Sequence, residues 1–375
     1  MEKIYTSLGL MSGTSMDGVD ASIIRSNGEN EYESIFDEYF EYEEGLYKDL
    51  VSLRNKINTV NDIIINSKLI NDVERKITLF HGKICNKIIR ENTNEIDLIG
   101  FHGQTIFHDG NKKISKQLGD GSLLSSLLRK DVIYNFRAND IINGGQGAPL
   151  APIFHNLLIN KVQMKLPVCV LNIGGIANIT IIKSNKNEDL KSYDIGPGNC
   201  LLDEWVRKHT NERYDNNGKV ASVGKIDEII LNKAIENFDN IKTGNNLSFD
   251  IKDFDLGFVR GLSYVDGLST LTKFTSEIIY QSIFKATKIN QNDKINILVC
   301  GGGRKNLTLL ENIRKKLPSN ISLNLIDDFN VNGDFIESQA FAYLAIRSLL
   351  KKMISFTGTT NVKKPCTGGI LVKNY

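Results

Sequence analysis

The sequence predicts a two-domain α/β protein, and three observations carry that prediction. The chain has 375 residues, more than the roughly 250–300 at which a single hydrophobic core stops growing. Apolar strand-like runs alternate with stretches whose aliphatic residues recur every three or four positions, the pattern of helices covering partly parallel sheets. The scheme then restarts midway, so that the opening of the first half is echoed in the second. A boundary between Leu150 and Val168 follows, giving domains 1–150 and 151–375.

Taken in order, residues 4–11 are apolar, break into Ser12-Gly13-Thr14-Ser15-Met16-Asp17-Gly18, and resume as an apolar run over 19–24. This is strand, tight turn, strand, with Asp17-Gly18 as the hairpin signal. From about 46 to 90, the spacing of Leu50, Leu53 and Ile57, and then of Ile77, Phe80, Ile84 and Ile88, predicts amphipathic helices. Residues 96–101 and 132–136 read as short buried strands feeding His102-Gly103-Gln104-Thr105 and Arg137-Ala138-Asn139-Asp140. In the second half, 168–173, 177–182 and 191–195 read as strands, running into Gly174-Gly175 and into Gly196-Pro197-Gly198-Asn199. The polar stretch 184–189 between them reads as a solvent-facing hairpin tip. Residues 201–209, 229–238, 268–286 and 337–350 read as helices, and 295–300 as a strand entering Gly301-Gly302-Gly303.

Composition narrows the function. Hydrophobic residues at 41% and charged residues at 24% are globular proportions, not those of a disordered chain. With 46 basic against 44 acidic side chains, the chain lacks the basic field that nucleic-acid binding uses. Cys85, Cys169, Cys200, Cys300 and Cys366 are scattered, without a Cys-x-x-Cys pair, which points to a reducing cytoplasm and away from a zinc knuckle. No apolar run approaches the ~18 residues of a membrane span, and no signal-peptide pattern opens the chain.

Four glycine loops follow apolar strands: 12–18, 174–178, 194–199 and 301–306. Glycine lets backbone N–H groups approach an anion closely, so phosphate binding is the natural candidate. Any one loop alone is more simply a tight turn. There is no G-x-x-x-x-G-K-[ST], Gly196-Pro197-Gly198 lacks the third glycine of a dinucleotide fingerprint, and no H-R-D with a following D-F-G occurs. Asp194 is open to two readings, a turn-capping carboxylate or a general base. Arg137 is either a salt-bridge partner or the fork that grips a ligand carboxylate. Glu337 either serves a helix dipole or accepts hydrogen bonds from a ligand. His102 and His108 lack the further ligands a metal site needs, so no metal-ligating set is assigned and a metal-dependent hydrolase is disfavoured.

Strand-hairpin-strand near the N-terminus, a second such hairpin midway and a late triple glycine resemble the acetate and sugar kinase, actin and chaperone ATPase superfamily. The segments Gly9-Leu-Met-Ser-Gly-Thr-Ser-Met-Asp-Gly-Val-Asp20, Gly100-Phe-His-Gly-Gln-Thr105, Gly144-Gly-Gln-Gly-Ala-Pro-Leu150, Leu171-Asn-Ile-Gly-Gly175, Asp194-Ile-Gly-Pro-Gly-Asn199 and Val299-Cys-Gly-Gly-Gly303, ending in Thr357-Gly358, together resemble the anhydro-N-acetylmuramic acid kinase family. The likeness spans nearly the whole chain in the family's order. The late loop departs from it in reading Gly303-Arg304-Lys305-Asn306, where small residues are more usual.

The resemblance implies a two-domain actin-like (ribonuclease H-like) ATPase with a cleft between domains. It implies ATP and Mg2+ as cofactors, and hydrolytic opening of a 1,6-anhydro ring coupled to phosphorylation of the freed six-position oxygen. It makes Asp194 the base. It assigns the nucleotide to Gly13, Thr14, Ser15, Met16, Asp17, Gly18, Val19 and Asp20, to Gly174, Gly175 and Asn178, and to Gly301, Gly302 and Gly303. Asp17 and Asp20 would orient Mg2+ through water. His102, Gln104, Arg137 and Glu337 would bind the sugar, Arg137 through its lactyl carboxylate. The implied partners are ATP and an anhydro amino sugar, with no nucleic acid or membrane, and a homodimer is left open. The competing readings are another sugar or carboxylate kinase of the superfamily, and a nucleotide-gated chaperone-like binding module.

Overall fold

The computed structural model describes residues 3–241, 248–286 and 294–374. Strands β1 (Tyr5–Ser12) and β2 (Gly18–Ser26) form the expected antiparallel hairpin, with Met11 opposite Asp20. The turn is built differently from the Asp-Gly signal. Gly18 already belongs to β2, and the left-handed residue is Met16, at φ 58°. Its side chain, 1% exposed, drops into the hydrophobic core and anchors the turn. A third strand, β3 (Tyr32–Glu41), pairs antiparallel with β2 and escaped the sequence reading. A register shift opposite the step from Ile23 to Ile24 leaves Ile35 bulged, which breaks the two-residue period that would have marked the strand.

Helices α1 (Glu44–Lys56), α2 (Val60–Ile65) and α3 (Ser67–Glu91) follow. Leu50 and Leu53 on α1, and Ile70, Val73, Ile77, Ile84 and Ile88 on α3, are buried at the spacing the sequence shows. Thr59 caps α2 in a reciprocal box with Asp62. β4 (Leu98–Asp109) is longer than expected, because it folds back on β5 (Ile114–Leu118). His102 and Gln104 therefore lie inside a strand rather than beyond its end. α4 (Gly121–Leu128), β6 (Asp131–Tyr134), α5 (Ala138–Ile142) and α6 (Pro152–Lys161) complete the first half.

The second half opens with β7 (Val168–Ile173), β8 (Ile176–Ile182) and β9 (Lys191–Pro197). It continues through α7 (Cys200–His209), α8 (Glu228–Ile241), α9 (Tyr264–Ala286), β10 (Ile295–Cys300), α10 (Leu307–Arg314) and β11 (Ile321–Leu325). α11 (Ile336–Leu349), α12 (Thr357–Thr360) and β12 (Ile370–Val372) end the chain.

One sheet runs β3-β2-β1-β4-β6, extended by β12, and the other β9-β8-β7-β10-β11. In both, the first three strands are antiparallel and the next two join in parallel. The same ribonuclease H-like module thus occurs twice, the duplicated actin-like arrangement expected. The division between compact units differs from the expected 1–150 and 151–375. One unit is Met1–Gln163, Lys186–Leu190 and Phe335–Tyr375, and the other Met164–Asn185 and Lys191–Asp334. The hairpin tip joins the first unit because Asn156 Nδ2 donates to Asn187 Oδ1 at 2.9 Å and Leu190 is buried.

The C-terminal segment joins the first unit for a packing reason. Gly9 and Gly100 are register partners on β1 and β4. A Cβ added to Gly9 would lie 2.0 Å from the Ser338 carbonyl oxygen, and one on Gly100 would lie 2.3 Å from that of Phe341. Backbone of α11 therefore rests directly on the first sheet. Gly100→Val should destabilise the protein by about 3 kcal/mol or more through overpacking that no side-chain rotation relieves; the measure is a drop in the urea midpoint at unchanged slope.

Candidate active site

In the first unit the candidate residues lie in the turn after β1, within β4, just after β6 and at the start of α11. The β1–β2 turn is held from several sides. Gln104 Nε2 donates to Gly13 O at 2.9 Å, Arg54 Nη1 to Thr14 O at 2.9 Å, and Tyr42 N to Asp17 O at 2.8 Å. Ser15 Oγ donates to Asp17 Oδ1 at 2.5 Å. Thr14 and Ser15 are exposed, whereas Met16 and Val19 point into the core. With their side chains buried, these two face the turn's outer side through backbone alone.

His102 is 4% exposed and stacks on Phe341 of α11 with ring centroids 4.4 Å apart. Arg137 Nη2 lies 3.1 Å from its Nε2, and its Nδ1 lies 2.8 Å from Gly103 O. A guanidinium only donates, so Nε2 accepts and Nδ1–H donates to the carbonyl. Burial, and then the charge of Arg137, hold this imidazole well below its usual pKa, which keeps it in that acceptor state. Both ring nitrogens are engaged within the protein, one by Arg137 and the other by Gly103 O. Gln104 likewise braces the turn, while its buried Oε1 has no partner among the described residues.

Arg137 stands two residues after Asn135, which adopts φ 53°, and is the N-cap residue of α5. Its Nη1 donates to Gly147 O at 3.1 Å. That loop is fixed by the buried Asp140, which accepts from Gly147 N and Thr360 Oγ1, each at 2.6 Å. Glu337 is half-buried in the first turn of α11. Its neighbours pin the turn: Ser338 Oγ meets Ser22 Oγ at 2.7 Å, and Gln339 Nε2 donates to both oxygens of Asp37 at 2.9 and 3.0 Å.

In the second unit three glycine loops converge on Ile173 and Asn199. Asn199 N donates to Gly174 O at 2.8 Å and Gly198 N to Gly175 O at 2.9 Å. Gly301 adopts φ 77°, and a Cβ there would meet Asn172 Oδ1 at 2.3 Å; one on Gly303 would meet Ile173 Cγ2 at 2.3 Å and Asn199 Oδ1 at 3.1 Å. The loops need glycine because their backbones touch one another. Asn199 and Asn172 join these loops and were not singled out from the sequence. Both stand inside segments recognised there, but an amide beside a glycine turn also satisfies ordinary turn chemistry.

Asp194 belongs to β9, which runs on through Gly196 and Pro197 rather than turning there. It faces Asn178 across the antiparallel β8–β9 pair. Its half-buried carboxylate accepts from Phe249 N at 2.9 Å through Oδ2. Among the described residues no group of three or more His, Cys, Asp or Glu side chains could hold a metal ion by itself.

A duplicated ribonuclease H-like chain with glycine hairpins after β1 and β7 and a third glycine loop after β10 is built on the actin-like ATPase fold. The family described as "Anhydro-N-acetylmuramic acid kinase" matches residues 5–373. An anhydro-N-acetylmuramic acid kinase of Pelagibacter ubique (strain HTCC1062) is 68% identical over 375 residues, covering 100% of both chains. Those of Agrobacterium fabrum (strain C58 / ATCC 33970) and Zymomonas mobilis subsp. mobilis (strain ATCC 31821 / ZM4 / CP4) are 34% and 36% identical. The first covers 100% of this chain and of its own, the second 96% and 98%. The chain belongs to the anhydro-N-acetylmuramic acid kinase family and is a kinase.

Proposed function

We propose that the protein opens the 1,6-anhydro ring of 1,6-anhydro-N-acetylmuramic acid with water and passes the γ-phosphoryl group of ATP to the freed six-position oxygen. The product is N-acetylmuramic acid 6-phosphate, and the setting is the recycling of cell-wall peptidoglycan. The observation that carries this reading is the full-length family match, supported by glycine loops that converge in the second unit on Asn199.

Asp194 takes a proton from the attacking water as its oxygen bonds to the anomeric carbon. The bond from that carbon to the six-position oxygen breaks, this oxygen attacks the γ-phosphorus, and ADP departs. Asp194 suits the role because the β8–β9 ladder and the Phe249 N–H fix its carboxylate. Arg137, held by His102 and Gly147, grips the lactyl carboxylate. Glu337 accepts a sugar hydroxyl, and Gln104 Oε1 is an acceptor open to a substrate N–H or O–H. The turn at 13–18, the hairpin at Gly174, Gly175 and Asn178, and the loop at 301–303 hold the nucleotide.

Asp17, whose carboxylate accepts from Ser15 Oγ, and Asp20 would hold Mg2+ largely through water. When bound there, Mg2+ neutralises phosphate charge. We place the protein in the cytoplasm, where ATP and cysteines outside any disulfide coexist. Among the described residues no helix is long and apolar enough to cross a membrane.

Isotopically labelled water tests the coupling. With Mg-ATP and the anhydro sugar, the phosphorylated product should carry the label at its anomeric hydroxyl and none in the phosphate. Label in the phosphate, or a phosphorylated sugar with its anhydro ring intact, would overturn the reading.

A further inference from the structure

Arg304 and Lys305 follow three glycines at positions where free cations would reach a phosphate. The structure gives Arg304 another task. It is 5% exposed, and its fork closes on two carboxylates. Nε and Nη2 donate to Asp327 at 2.7 and 2.9 Å, and Nη1 to Asp334 at 2.6 Å. Nη1 also donates to Gly301 O at 3.2 Å, the first carbonyl of the glycine loop. Lys305 Nζ holds the other oxygen of Asp334 at 2.6 Å.

The clasp closes on backbone as well. Gly301 N donates to Gly333 O at 3.0 Å, and Gly333 N to Asp327 Oδ1 at 3.3 Å. A Cβ on Gly333 would lie 2.5 Å from Arg304 Nε, so the guanidinium packs flat against that residue. Burial alone would raise both carboxyls; the guanidinium outweighs it and holds Asp327 and Asp334 below the usual carboxylate range.

A run of three glycines is the most freely jointed backbone a protein can make, and ordering it on binding a ligand lowers affinity. We infer that Arg304 is a positioning residue for nucleotide binding: clasped to Asp327 and Asp334, it holds Gly301–Gly303 in its ligand-ready shape before ATP arrives. The inference rests on the reading of this loop as part of the nucleotide site. It also accounts for the larger residue after the glycines: its charge is neutralised within the protein and its volume lies under the loop.

The test uses the full chain, steady-state kinetics with Mg-ATP and the anhydro sugar, and calorimetry with ADP. Arg304→Lys keeps the charge but loses the fork. Asp334→Asn leaves the Asp327 pair in place and guards against a variant that fails to fold. Each should raise the KM for ATP and the Kd for ADP, Arg304→Lys by about tenfold and Asp334→Asn by less. The KM for the sugar and kcat should stay within about twofold. A clasp that merely stabilised the fold would lower the melting temperature without separating the two substrates. Gly302→Val is the control for the loop itself, since a Cβ there meets only Asn199 Nδ2 at 3.8 Å, and it should abolish ADP binding at an unchanged melting temperature. If it does while Arg304→Lys and Asp334→Asn bind ADP normally, or if both KM values rise together, the positioning role is overturned. If Gly302→Val binds ADP like the parent, the nucleotide reading of the loop fails, and the inference with it.

Discussion

Asp194→Asn should lower kcat by about a thousandfold or more while leaving the urea midpoint and ADP affinity unchanged. The substitution removes only the capacity to take a proton. The Phe249 N–H that now points at Oδ2 at 2.9 Å can donate equally to the amide oxygen of an asparagine, so the side chain keeps its orientation. The β8–β9 pairing that places residue 194 opposite Asn178 is made by backbone and does not change. Asp194→Ala would lose both the base and the Phe249 contact, and is the weaker experiment for that reason. The outcome that sinks the assignment is turnover within tenfold of the parent, since water attack on the anomeric carbon would then proceed without this carboxylate. A loss of ADP binding would instead mean that residue 194 supports the neighbouring glycine loops.

Much of this was legible in the sequence, and the exceptions have physical causes. The β1–β2 and β7–β8 hairpins showed because their strands are apolar and their turns carry glycine. α3 showed because Ile77, Ile84 and Ile88 fall on one buried face. β3 did not, because its bulge at Ile35 shifts the phase of alternation. The return of residues 335–375 to the first unit was hidden because the decisive signal is a pair of glycines 91 residues apart in sequence that meet only in the sheet register. Arg137 and Asp194 were legible as candidates by type and place. The commitment of His102 to Arg137, of Gln104 to Gly13, and of Arg304 to two aspartates was not, since each depends on a partner brought together by the fold. A sequence shows which side chains could meet a ligand, and only the structure shows which of them are already occupied.

Those occupied groups make the consequence of changing Arg137 unusually specific. Its guanidinium is oriented by two acceptors, Gly147 O at 3.1 Å and His102 Nε2 at 3.1 Å. Arg137→Lys keeps the charge, but a single ammonium cannot satisfy both acceptors and also present two parallel donors to a carboxylate. We expect kcat/KM for the anhydro sugar to fall by about a hundredfold, chiefly through the sugar's KM, with the KM for ATP unchanged. His102→Ala removes one of the two orienting acceptors and should cost less. Because His102 acts through Arg137, the double variant should be no worse than Arg137→Lys alone, a departure from additivity expected of residues in contact. Since burial and the Arg137 charge hold the His102 pKa well below the usual histidine range, its acceptor nitrogen stays unprotonated through that range, and the parent's sugar KM should not follow an ordinary histidine titration. The decisive comparison is with an anhydro sugar lacking the lactyl group. If Arg137 grips that carboxylate, the parent should bind the analogue poorly and Arg137→Lys should hardly weaken it further; an equal penalty on both sugars would mean that Arg137 shapes the pocket without touching the carboxylate.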